Sequence, residues 1–124
     1  MQDNKKNIIV EKTLNFALQI IEFAELLESK KKYIISNQLL KAGTSIGANV
    51  REAQNAESRA DFIHKLKIAA KEADETEYWL FLCQHSKSYP NCDSLESEIQ
   101  EIIKILSLQN VLSTIHSLVV WIPF

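Results

Sequence analysis

Asn49, Arg51 and Glu52 lie within four residues of one another, and Glu75 follows on the next helical segment. An amide, a guanidinium and two carboxylates form a polar cluster that could hold a ligand in a cleft. The same groups could instead pair with one another and lock the bundle, because buried polar groups must find partners. Asn49 falls at a core-facing heptad position in this reading, where an Asn fixes register and oligomeric state at a cost in stability. Glu72 and Glu75 share a helix face, as carboxylates of a di-metal bundle do. That chemistry uses Glu-x-x-His pairs, and the chain has none. Cys83, His85 and Cys92 are near one another in sequence, yet structural zinc takes four ligands at paired spacings, and Cys83 reads as core. Gly43-Thr44-Ser45-Ile46-Gly47 lacks the Gly-Lys-Ser/Thr ending and the preceding strand of a phosphate loop. His64 and His116 belong to no Ser/His/Asp arrangement and read as surface or packing residues. These residue types point to no reaction, no cofactor and no metal, so the chain is not expected to be an enzyme.

The cations allow a second kind of chemistry. Lys30, Lys31 and Lys32 form a run, and Arg59, Lys65, Lys67 and Lys71 follow further on, with Arg51 between. On a symmetric assembly even a modest basic patch repeats, which raises avidity for a phosphate backbone. On a monomer the same residues are a solvated helix surface with partners one turn away. The whole chain carries 14 Lys plus Arg against 16 Asp plus Glu, a formal charge of −2. Nucleic-acid binders are usually basic, so this balance argues against a generic one.

What must position these residues is helical. In 124 residues there are only two glycines and two prolines, too few for the many turns of an all-β or doubly wound α/β chain. Apolar spacing predicts four helices, over about 7–29, 33–56, 59–86 and 93–118, followed by an apolar tail, 119–124. In the first, Ile9, Phe16, Ile20, Phe23 and Leu27 make one stripe and Val10, Leu14, Ala17, Ile21 and Ala24 an adjacent one. In the second, the heptad positions are Ile35, Leu39, Ala42, Ile46, Asn49 and Ala53. Gly43 and Gly47 share one face there. Each costs about 1 kcal/mol against Ala in a helix, so a neighbouring helix is expected to approach closely; a helix break at Gly43 is the alternative. The third helix opens with a capping box, Ser58 and Asp61, and carries Phe62, Leu66, Ala69, Ala73, Thr76, Leu80 and Cys83 on one stripe. The fourth opens with a second capping box, Asp93 and Glu96, and continues with Leu95, Ile99, Ile102, Leu106, Leu112 and Ile115. Short connections make neighbours antiparallel. The expected fold is all-α, a single up-down-up-down four-helix bundle over 1–124.

The middle of the chain carries a resemblance. Thr44-Ser45-Ile46-Gly47-Ala48-Asn49-Val50-Arg51-Glu52-Ala53 resembles the S-I-x-x-N-I-A-E-G signature of four-helix bundle proteins encoded in intervening sequences of bacterial 23S rRNA genes. Phe62, Leu66, Ile68, Ala69 and Glu75 are similar to the family's next helix. The chain departs at Glu52-Ala53-Gln54 and at Lys71-Glu72, where the family has small residues and glycine. The resemblance implies a homopentamer of bundles without an assigned biochemical role. It also implies a likeness to the pentameric accessory proteins of diversity-generating retroelements, which bind nucleic acid on a basic surface.

The surplus of apolar surface is the firmest functional feature. A monomeric bundle needs one stripe per helix, and extra stripes mark an interface. The expectation is a homo-oligomeric scaffold or binding module, a pentamer by resemblance, whose partner is RNA or protein. The nucleic-acid accessory role stands as the alternative. The polar first residues lack a secretory signal, two cysteines are too few for a disulfide framework, and no stretch is apolar enough to span a bilayer. A cytoplasmic location is expected.

Overall fold

The computed structural model describes residues 7–116, with side chains as far as Ser113. Four helices fill this length: α1 (Ile8–Ser29), α2 (Tyr33–Gln54), α3 (Arg59–His85) and α4 (Asp93–His116). Each helix packs on its neighbour in sequence, and α4 closes the square against α1, the loosest of the four seams. Among the described residues neither diagonal pair, α1 with α3 or α2 with α4, is in contact. Connections of a few residues turn each helix back along the last, giving the up-down-up-down bundle. The end of the fourth helix near 118 and the tail 119–124 lie outside the described residues, as do the side chains of Ile115 and His116.

The core follows the helical period. On α3 the buried residues are Phe62, Leu66, Ala69, Ala73, Thr76, Leu80 and Cys83, one stripe without interruption. On α1 they include Ile9, Phe16, Ile20, Phe23 and Leu27, while Leu14 and Ile21 of the adjacent stripe stay exposed. Each large aliphatic or aromatic side chain so buried contributes roughly 1.5–3 kcal/mol. On α2 the buried stripe is Ser36, Leu39, Ala42, Gly43, Ile46, Val50 and Ala53. This corrects the heptad assignment: after Ile46 the stripe advances four residues to Val50, leaving Asn49 half-buried at its edge. A 3.6-residue turn makes such four-residue steps necessary. Leu95, Ile99, Ile102 and Leu106 complete the core from α4, whereas Leu112 is exposed.

The helix ends have local causes. Asn7 Oδ1 accepts from the Val10 N–H at 3.3 Å, and Asn7 Nδ2 donates to Gln54 Oε1 at 3.0 Å, tying the start of α1 to the end of α2. Ser58 Oγ accepts from the Asp61 N–H at 3.1 Å, while the Asp61 carboxylate accepts from the Glu57 N–H at 3.3 Å. At α4 the capping box gives way to a different device. Asp93 is already inside the helix, and Asn91 Oδ1 accepts its N–H at 3.0 Å. The α1–α2 turn is a Schellman motif. Lys32 N–H reaches Leu27 O at 2.8 Å, Lys31 N–H reaches Glu28 O at 2.9 Å, and Lys31 is left-handed at φ 64°.

Helix α2 runs unbroken through both glycines. A Cβ on Gly43 would stand 2.9 Å from both γ carbons of Ile20, and one on Gly47 would stand 3.3 Å from the Thr13 carbonyl oxygen. Here α1 and α2 touch backbone to side chain, and Ser36 Oγ adds a buried bond to Ala24 O at 2.7 Å.

Two stability changes follow. Gly43→Ala gains about 1 kcal/mol of helix propensity but forces a β-branched, fully buried side chain to move, an overpacking cost of about 1–3 kcal/mol. The net effect is a lower denaturant midpoint, with a larger drop than for Gly47→Ala; a stabilised Gly43→Ala protein would refute the close approach. Lys31→Gly relieves a left-handed Lys that costs about 1–2 kcal/mol and raises the midpoint, less the entropy that glycine loses on folding.

Candidate functional site

The sequence-predicted polar cluster does not come together. Asn49 Nδ2 donates to Ser45 O of its own helix at 2.9 Å. Glu52 is exposed and pairs with Lys65 at 2.7 Å, across α2 and α3. Glu75 is exposed and accepts from Trp79 Nε1 at 3.1 Å. It stands ten residues beyond Lys65, roughly 15 Å along α3 at 1.5 Å per residue. Arg51 is exposed as well, on the side of α2 that faces away from Glu75 and towards α1. These groups make separate, local contacts, so they form no convergent polar pocket.

The cations separate into two sets. Lys32 Nζ donates to Ser88 Oγ at 3.1 Å and sits 5.1 Å from the centre of the Tyr89 ring, which places Lys30, Lys31 and Lys32 beside the α3–α4 connection. Arg59, Lys65, Lys67 and Lys71 lie on the first half of α3, towards the other end of the bundle. Asp61 lies among them, Glu72 and Glu75 follow directly after Lys71, and Lys65 is already paired. Helix α3, at 27 residues, separates the ends by about 40 Å.

Clefts formed by the described residues include three that bear on a site. One of about 340 Å³ opens at the α1–α4 seam among Gln19, Glu22, Phe23, Leu26, Cys92 and Leu95. Cys92 is the reactive type there, but burial pushes its thiol up to about 12, with Cys83 close by adding to the shift. Cys83 is likewise pushed up to about 11 by burial, then by Glu96. A nucleophilic cysteine needs the opposite shift. The second cleft, about 230 Å³ between α3 and α4, is acidic and aromatic: Asp74, Glu77, Tyr78, Phe81, Glu96 and Gln100. Glu72, at the margin of the core, is raised by desolvation and then by Glu75, with Lys41 and Lys71 opposing. Among the described residues no three of His, Cys, Asp and Glu stand close enough to hold a metal ion.

The third cleft is an apolar groove. It runs between the outer sides of α1 and α2, about 160 Å³, with Val10, Leu14 and Ala17 on one wall and Thr44, Gly47 and Ala48 on the other. Arg51 is its single charged lining residue. The spacing of α1 reveals the second stripe that forms one wall, but not the matching small wall on α2. The signal for that wall is Gly47-Ala48, one turn beyond Gly43.

These features define an all-α bundle with apolar outer surface and no assembled polar site among the described residues. The chain belongs to the 23S rRNA-intervening sequence protein family, whose model matches residues 5–108. It is similar to a crystallised protein of unknown function from the S23 ribosomal protein family of Bacteroides thetaiotaomicron. The two share 44% identity and superpose with a TM-score of 0.78, over 82% of this chain and 97% of that one. No curated protein matches. Neither likeness carries an activity. Among the described residues no helix is long and apolar enough to cross a membrane.

The thiols give a direct check on the seam. Both cysteines are free and buried, and both stay protonated in the fold until far above the usual 9.0. An alkylating reagent at pH 8 is expected to label neither in the native protein and both in denaturant. The unfolded chain loses these protons first as pH rises, so native stability falls from about pH 9 upward. Rapid native labelling would show that the α3–α4 end opens readily.

Proposed function

We propose that this chain is a non-catalytic, self-assembling four-helix bundle, a scaffold whose copies cover one another's apolar outer faces. The carrying observation is the side of α1 that the bundle leaves bare. Leu14, Leu18 and Ile21 are 49%, 52% and 38% exposed, at helical spacing. Single exposed aliphatics are ordinary, whereas a stripe of them marks an interaction surface. The resemblance to pentameric bundles supports a ring of five. The clefts support a non-catalytic role, since they gather carboxylates, Tyr78, a lone Arg51 and a thiol shifted away from reactivity, with no nucleophile set beside a base. Binding of RNA or DNA through cations repeated around the ring is the alternative. It has the weaker footing, because the cations occupy two separated regions broken by carboxylates.

Light scattering on the purified chain tests this reading. The expected mass is a multiple of 14.2 kDa, fivefold for the ring. Assembly by apolar burial holds as salt rises and survives nuclease treatment. A monomeric mass overturns the proposal. A mass that collapses with nuclease or with salt transfers the function to nucleic-acid binding, where counterion release makes affinity fall steeply.

A further inference from the structure

The outward side of α4 changes character along its length. Ser97, Glu101 and Lys104 are exposed and polar there. Beyond them Leu108, Val111 and Leu112 are 58%, 55% and 39% exposed. At about 100° per residue these three cluster on the side opposite Leu95, Ile99, Ile102 and Leu106, which fill the core. The apolar stripe of α4 therefore crosses from the inner to the outer face just past Leu106. The sequence carries no Asp, Glu, Lys or Arg from 105 to 124.

A chargeless ridge on a rigid helix needs a chargeless seat. The α1–α2 groove is the matching surface, walled by aliphatic and small residues with Arg51 alone charged. Ile21 and Leu40, both partly exposed, extend the same two sides beyond Ala17 and Thr44. Gly47, Ala48 and Ala17 keep the walls low, so a third helix can approach closely, the helix-in-groove mode of recognition. The ridge cannot reach the groove of its own molecule, because α4 packs on α1 and α3 and does not meet α2.

We propose that the outward ridge of α4, Leu108, Val111 and Leu112, seats in the α1–α2 groove of a second copy of this chain. This deepens the scaffold reading and rests on it. Ridge and groove are different surfaces, so the contact is head-to-tail. Such contacts close into rings when the rotation permits and otherwise run on as filaments.

A head-to-tail contact has a signature that a two-fold contact lacks. Leu112→Glu disables the ridge and leaves the groove whole; Leu14→Glu does the reverse. Both positions are exposed, so the fold should hold, checked by helical circular dichroism. Val111→Glu and Ala48→Glu are the second pair if either variant misfolds. Each variant alone is expected to be monomeric. Mixed one to one, they should form a heterodimer of twice 14.2 kDa and stop there, since only one good ridge and one good groove remain. Variants that keep the wild-type mass, or a mixture that stays monomeric, overturn this interface while leaving the scaffold reading intact. A monomeric wild type overturns both.

Discussion

Ile20 presses against Gly43 with no room between them for a methyl group, and much of the bundle takes its position from that contact. A β-branched side chain is stiff about χ1, and Ile20 is fully buried. The α1–α2 register is therefore held by shape at the middle of both helices. Thr13 against Gly47 repeats the arrangement one turn on along α2. The polar contacts agree with it: Ser36 to Ala24 towards one end and Asn7 to Gln54 at the other. The close approach also sets the outer groove, because helices that nearly touch leave a shallow trough lined by whatever flanks the glycines.

The remaining seams are held differently. Between α2 and α3 the core continues past the turn through Ala53, Phe62 and Leu66, with the Lys65–Glu52 pair at the rim. Exposed pairs of this kind add little, about 0–1 kcal/mol. At the α1–α4 seam Lys12 reaches Glu101 at 2.7 Å and Glu98 at 3.6 Å, beside a core to which α1 and α4 contribute Ile9 and Leu106. This seam closes the square but with the least packing.

Helix number, order and most of the core are readable from sequence because long amphipathic segments repeat one signal many times. The seven buried residues of α3 are all legible for that reason. Spacing misplaces Asn49 because one heptad step of three has to become four, and a single polar residue cannot reveal which. The polar cluster fails on the same ground: spacing along a helix places residues on a face, but Asn49, Glu52 and Glu75 find partners one turn away or across the nearest seam. The outer groove is half legible, through the second stripe of α1. Its other wall is made of Gly47, Ala48 and Thr44, residues whose smallness becomes meaningful only beside a neighbour. The outward turn of the α4 stripe has a sequence signal, since the inner positions after Leu106 are Gln109, Asn110 and Ser113, and grouping Leu112 with the core overlooks that break.

The arrangement of contacts has a kinetic consequence. Each of α2, α3 and α4 packs on the helix before it, and among the described residues just one seam, α1 with α4, joins distant parts of the chain. Such a topology has low contact order, and helical bundles of this kind fold in microseconds to milliseconds. The α1–α2 and α2–α3 hairpins can form before the square closes, with α4 swinging onto α1 last. On the completed chain the core stripes are therefore bare only briefly before they are covered. Until α4 docks, however, the buried stripe from Leu95 to Leu106 is exposed as well, so the newly made chain is most prone to mispair with its neighbours at the final step of its own folding.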